Sequence, residues 1–185
     1  MAIVPLRLPR DRGALSAHFD ALGPDDLRLR FCQTMKPEAV AAYLDSLSAT
    51  HAVLFGIFNR DLELVAVGQF ANAADGLEVG LSVLSRYRRR GLASALLGRA
   101  ANYARTHAID ALVMHCLAEN VPMLALARQF GMSIETSGTE ADGRMRLRAG
   151  TAVDLWTEAV YDLEGLLDLT TKRRQIALRT SRPPT

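Results

Sequence analysis

The chain has 185 residues, 49% of them hydrophobic, and a formal net charge of +2, which fits one globular domain with a sizeable core. So small a net charge makes no case for a nucleic-acid or membrane partner, and it leaves local clusters of charge as the informative feature. The 2 cysteines, Cys32 and Cys116, stand far apart, which excludes a disulfide framework and a Cys-x-x-Cys metal site and points to reduced thiols.

The start, Met-Ala-Ile-Val-Pro, lacks a charged segment followed by an apolar one, and no apolar run approaches about 18 residues. A soluble, cytoplasmic protein is expected. Ile3 to Leu8 reads as an edge strand, because Pro5 cannot donate to ladders on both sides. Asp11 is placed to cap a helix whose Leu15, His18, Phe19 and Leu22 share a face, with Gly23-Pro24 as its stop. Asp25 to Phe31 follows, and Pro37 suits the first turn of a helix that presents Val40, Ala41, Leu44 and Leu47. Ala52 to Phe58 and Glu63 to Phe70 alternate as strands around a tight turn at Asn59 to Leu62, and Asn72 to Gly76 forms the next turn.

Glu78 to Ala104 organises the rest. Val79, Leu81 and Val83 alternate with Glu78, Gly80 and Ser82 as a strand, Arg86 to Arg90 form a cationic loop, and a helix opens near Gly91. The first N–H groups of a helix have no partner within it, and the dipole places partial positive charge there, so this corner suits a polyphosphate. Gly91 and Ala93 leave the backbone accessible. Gly80 weakens a strand, which requires either a bulge or a close backbone approach. Asp110 to Leu117 then reads as a strand, Asn120 to Phe130 as a helix, and Met132 to Thr136 with Arg144 to Arg148 as a hairpin around Gly138 to Gly143. In Val153 to Leu169 a stripe of Trp156, Ala159, Val160, Leu163, Leu166 and Leu167 predicts an amphipathic helix, docked on its own domain or forming a homodimer contact. Lys172 to Thr185, with Arg173, Arg174, Arg179 and Arg182, reads as a frayed basic end or a polybasic docking tail. Residues 1–150 are thus expected to form the domain proper and 151–185 an added helix and tail.

Two motifs carry a family resemblance. Arg88-Arg-Arg-Gly91-Leu-Ala93 resembles the Arg/Gln-x-x-Gly-x-Gly/Ala loop of the Gcn5-related N-acetyltransferases, the GNAT superfamily, and Asn120-x-x-Met-x-x-Leu126-x-x-x-x-Gly131-Met132 resembles a second segment at the expected distance. The Leu29-Arg30-Phe31 region is similar to bacterial members that acetylate protein lysines. The resemblance covers about Leu27 to Leu147 and implies an α/β (α+β) fold: a mixed, mostly antiparallel twisted sheet flanked by helices, here with an extra C-terminal helix.

It also implies acetyl-CoA as co-substrate and an amine acceptor, a small molecule or a protein lysine. Arg88, Arg89 and Arg90 and the N–H groups from Arg89 through Gly91, Leu92 and Ala93 to Ser94 would hold the pyrophosphate, and the backbone of Val83, Leu84 and Ser85 the pantetheine arm. Asn120 would bond the arm, cap its helix, or both. A lysine-type amine has a pKa of roughly 10.4, so a base beside the thioester accelerates attack. Glu78 stands where related enzymes often carry such a glutamate, with an outward strand residue as its ordinary role; Asp75, His115 and Glu119 are weaker candidates. The family's frequent acid, a tyrosine, aligns with Ala127, which leaves a non-catalytic acyl-CoA sensor as the alternative. No spacing predicts a metal.

Overall fold

The computed structural model describes residues 2–47 and 52–180, with side chains through residue 175. One seven-stranded sheet runs in the order β1-β2-β3-β4-β5-β7-β6. Its strands are β1 (Ile3–Leu6), β2 (Val53–Phe58), β3 (Leu64–Ala73), β4 (Gly76–Val83), β5 (Ala111–Leu117), β6 (Ser133–Ser137) and β7 (Glu140–Arg146). All neighbours pair antiparallel except β4 and β5, which are parallel. The mixed sheet and flanking helices match the expected fold.

The helices are α1 (Arg12–Asp20), α2 (Pro24–Phe31), α3 (Pro37–Ser46), α4 (Leu92–Thr106), α5 (Val121–Gln129) and α6 (Ala152–Thr180). Pro24 and Pro37 open α2 and α3, where the missing N–H costs no helical bond. Two apolar clusters cover the two faces of the sheet. On one face Leu96, Leu97, Ala100 and Ala104 of α4 and Leu124 of α5 pack against Phe55, Val65, Phe70 and Leu112. On the other, Leu15 and Phe19 of α1 and Val40 and Leu44 of α3 pack against Leu54, Leu64 and Val67.

Several local expectations are corrected. The first strand stops at Leu6, and Asp11 does not cap α1: its carboxylate accepts from the Arg7 amide at 2.8 Å and pairs with Arg10. The last hairpin is tighter than the glycines suggested. β7 already begins at Glu140, and Gly143 is a strand residue opposite Met114, whose Cε would lie 3.1 Å from a Cβ there. β4 carries no bulge, since its register with β3 is unbroken from Ala66↔Val83 to Ala73↔Gly76; the irregularity falls between Ile57 and Phe58 of β2.

The largest correction concerns α6. The amphipathic pattern predicts its apolar stripe against the domain or against a second copy, and the first alternative fails: Trp156 is 74% exposed, and Val160, Leu163, Leu166 and Leu167 also face outward. The buried positions are Asp154, Gly165, Leu169 and Lys172. Buried Arg99 of α4 decides the orientation: its Nη2 donates to Asp162 at 2.7 Å, its other arm pairs with Glu158, and its Cζ lies 4.6 Å from the Phe55 ring centroid. A guanidinium inside the domain needs carboxylates, so the acidic face of α6 turns inward. Gly165 permits the contact, because a Cβ there would sit 2.7 Å from the Ile3 carbonyl oxygen. The helix also runs on to Thr180 through the segment expected to fray, and Lys172 is buried rather than solvated. Arg182 and Pro183-Pro184 lie outside the described residues.

Candidate functional site

β4 is paired with β3 along its whole length, but with β5 only at Leu77↔Leu112 and Glu78↔Val113. Beyond those pairs the two parallel strands separate. Into the opening come the loop after β4, the first turn of α4, and Asn120 with the first turns of α5, around a cavity of about 540 Å³. A second cavity, about 570 Å³, lies under the start of α6 among Arg105, Ile109, Leu147 and Leu155. There the start of α6 is already closed by the Asp154 carboxylate, which accepts from the Thr151 amide at 2.8 Å and pairs with Arg105 and Arg148, so the first is the candidate site.

The cavity at the splayed strands has the features of an anion cradle. Gly91 sits at the N-terminal boundary of α4 with φ +77, a left-handed conformation natural to glycine. No side chain among the described residues caps the helix. The N–H groups of Leu92, Ala93 and Ser94 are therefore unpaired within the helix, and all three residues line the cavity. A Cβ on Gly91 would meet nothing within 4 Å, so the space over the helix start is open.

The three loop arginines differ. Arg88 is engaged twice, its Nε donating to the Val83 carbonyl at 3.2 Å and its Nη2 pairing with Asp26 at 2.6 Å. Arg90 donates to the Arg86 carbonyl at 3.0 Å and lies over the Tyr87 ring. Arg89, in the left-handed region at φ 59, forms no side-chain hydrogen bond or ion pair among the described residues and lines the cavity. The Asn120 Oδ1 accepts from the Met123 amide at 3.2 Å, capping α5, and the residue also lines the cavity.

Of the residues singled out from sequence, Val83, Arg88, Arg89, Gly91, Leu92, Ala93, Ser94 and Asn120 meet here. Leu84 is buried, with its amide bonded to the Val65 carbonyl at 3.0 Å. Ser85 opens a short 3-10 turn whose Arg88 amide donates back to it at 3.2 Å. Leu84, Ser85 and Arg90 stay outside the lining. Glu78 also lies outside it, exposed at the point where β4 and β5 part. Its charge helps raise the pKa of both Cys32 and His115, so those groups share its neighbourhood. His115 binds Asp142 at 2.7 Å, and that bond raises its pKa against the opposing effect of burial. Asp75 and Glu119 are paired with Arg144 and Arg28.

Sequence reasoning missed how the wall opposite α4 is built. Arg30 of α2 enters the cavity and lies against Gly80, and Gly80 was the signal that could have found it. His18 of α1 is buried behind that wall. Its Nδ1 lies 2.8 Å from the Leu64 carbonyl and must carry the proton, which leaves Nε2 to accept from Ser82 Oγ at 2.8 Å. Burial pushes its pKa down to about 4, so it is a neutral support for the strand. Among the described residues no group of three or more His, Cys, Asp or Glu is gathered as a metal site, and no helix is long and apolar enough to cross a membrane.

Residues 24–132 match the model of the acetyltransferase (GNAT) family. Among solved structures, the fold is similar to the GNAT domain of S. lividans PAT, at 20% identity and a TM-score of 0.65, over 78% of this chain and 89% of that one. It is also similar to spermidine N-acetyltransferase from Vibrio cholerae in complex with CoA and spermine (14%, TM-score 0.61, 78% and 94%). A third likeness is to PaiA N-acetyltransferase from Thermoplasma acidophilum in complex with coenzyme A (15%, TM-score 0.59, 79% and 99%). At such identities the structural likeness establishes the fold, and the family match covers more than half of the sequence. The chain belongs to the acetyltransferase (GNAT) family.

Proposed function

We propose, from that membership, that the protein transfers an acetyl group from acetyl-CoA to a primary amine by direct attack. The observation that carries this reading is the uncapped start of α4 beside the gap between β4 and β5. The diphosphate of the coenzyme would settle on the N–H groups of Leu92 to Ser94 with Arg89 beside them, and the pantetheine arm would run along the unpaired edge of β4 toward Glu78. The amine nitrogen attacks the thioester carbon, its proton passes to the Glu78 carboxylate directly or through water, and the coenzyme leaves as thiolate. Acceptors would be small amines or protein lysines. Calorimetry with coenzyme A, followed by thiol release against an amine panel, tests both halves. Absence of binding heat overturns the coenzyme site, and binding without turnover overturns catalysis.

A second reading, an acyl-CoA sensor without turnover, is favoured by one observation. Ala127 is fully buried and supplies no acid, and the cavity's own Tyr87 has its hydroxyl tied to Asn59 at 2.8 Å. Catalysis survives this loss because a thiolate with a pKa near the cysteine value of about 8.5 leaves without protonation.

The two free cysteines suit the reducing cytoplasm. Residues 1–150 would act as the catalytic domain and 151–185 as an appendage. The outward seam of α6, Val153, Trp156, Val160, Leu163 and Leu167, has the three-four spacing of a coiled-coil face. We read it as the contact for a second copy of the chain. Sedimentation that finds only monomer at micromolar concentration overturns this.

A further inference from the structure

On β4, Gly80 shares a sheet face with Glu78 and Ser82. Arg30, at the last turn of α2, covers it: a Cβ at position 80 would fall 2.5 Å from the Arg30 Cζ and 2.6 Å from its Nη1. The guanidinium is held in place from several elements. Its Nη2 donates to Gln69 Oε1 at 2.7 Å, and Gln69 is the cross-strand partner of Gly80. The same oxygen accepts from the Tyr43 hydroxyl at 2.7 Å. Cζ also lies 5.0 Å from the Phe31 ring centroid, and that ring packs edge-on against Tyr43.

This arginine is positioned but not neutralised. Arg28, Arg86, Arg88 and Arg99 each have a carboxylate partner, whereas no carboxylate among the described residues pairs with Arg30. A guanidinium carries five N–H donors in a planar fork suited to a carboxylate, and among the described residues the one side chain that Arg30 donates to is Gln69. It stands half-buried in the cavity wall that faces β4, across from the start of α4.

Resting on the transferase reading above, we propose that Arg30 is the receptor for a carboxylate on the acceptor. The substrate class is then an amine that carries a carboxylate close by, as an amino acid does. Glu78 is two residues from Gly80 on the same face, about 7 Å along the strand. An acceptor whose carboxylate sits on Arg30 would present its ammonium toward Glu78, each charge meeting its opposite. A polyamine bound the same way would bring a second ammonium against the guanidinium.

The test uses the full chain and matched acceptors: amino acids, the corresponding amino-acid amides, a simple alkylamine and spermidine, each read by thiol release from acetyl-CoA. The amides have the more readily deprotonated amine, so basicity alone favours them. Wild type should nonetheless prefer the free carboxylate in kcat/KM by about 10-fold or more, and Arg30→Gln should remove that preference through a KM raised about 10- to 100-fold. Arg30→Lys should recover part of it. Coenzyme A affinity of Arg30→Gln should stay at the wild-type level. Equal or better use of amides by wild type overturns the proposal. So does a loss of coenzyme affinity in Arg30→Gln, which would make Arg30 a phosphate ligand. Calorimetry of an N-acetyl amino acid binding to the CoA-loaded protein separates the two levels. If no acceptor turns over yet this ligand binds wild type and not Arg30→Gln, the transferase reading fails and the carboxylate site stands. If it binds neither, the site fails too.

Discussion

Lys172 Nζ donates to the carbonyl of Phe58 at 2.8 Å, joining residues 114 apart in sequence. The ammonium is also paired with Asp168 one turn earlier on α6. At this point β2 ends and its register with β3 slips, so the Phe58 carbonyl lies beyond the regular ladder and Lys172 supplies its donor. A buried carbonyl without a donor is costly, and a hydrogen bond from a charged group contributes more than a neutral one. Lys172→Met, which keeps the apolar stem, should lower the urea midpoint by the equivalent of about 1–3 kcal/mol with little change in slope. Arg173→Met, at an exposed neighbour, should stay within about 0.5 kcal/mol. Equal effects would mean that the contact does not hold α6 to the sheet.

Much of the fold was legible because its signals are local. Alternation in Val79, Leu81 and Val83, the prolines opening α2 and α3, and the glycine before α4 each act through their own backbone. The failures share a cause: the deciding contact is distant. The stripe on α6 has a helical period, but only Arg99, 63 residues away from Asp162, reveals that the acidic face is the one turned inward. Similarly, Gly80 signals a bulge or a close backbone approach, yet nothing local could say that a distant side chain, Arg30, covers it. Glycines at 138 and 143 look alike in sequence. One has φ +60 in a turn and the other lies in a strand under Met114.

His18 gives stability a pH dependence. Its folded pKa is pushed from 6.5 down to about 4, chiefly by burial, so between those values the unfolded chain binds the extra proton. Stability from this group is therefore fully present above about pH 6.5 and is lost as pH falls toward 4, by up to about 3 kcal/mol. His18→Gln should be less stable at pH 7.5, where it loses the Leu64 and Ser82 hydrogen bonds, and should show a flatter decline between pH 6.5 and 4. Parallel stability–pH curves for the two proteins would show that His18 is not the titrating group.

The loop arginines should not contribute equally to coenzyme affinity. Arg90 is committed to the Arg86 carbonyl and Tyr87, and Arg88 to Val83 and Asp26, whereas Arg89 is uncommitted beside the α4 start. Arg89→Ala should weaken coenzyme A binding about 10-fold at low salt, with a reduced effect at high salt, and Arg90→Ala should cost less. Gly91→Leu meets no protein atom within 4 Å but places a side chain over the free N–H groups and strains a left-handed position. It should lower stability by about 1–2 kcal/mol and abolish binding in a protein that remains folded. Titration calorimetry beside thermal melts checks the ordering, and unchanged affinity in the Gly91 variant would contradict the cradle.

Glu78 tests the chemistry itself. It is exposed where β4 and β5 part, and no basic side chain is paired with it among the described residues. As the base, its carboxylate would matter most where the acceptor is still an ammonium ion and least where bulk hydroxide already frees the amine. Glu78→Gln should therefore depress kcat about 10²-fold near neutral pH and progressively less as the pH approaches that of the amine. Coenzyme A affinity should hold, since the cradle lies at the other end of the strand. A uniform loss at every pH would assign Glu78 to acceptor binding, and an unaltered pH–rate profile would remove it from the reaction, leaving His115 with its Asp142 partner as the next group to replace.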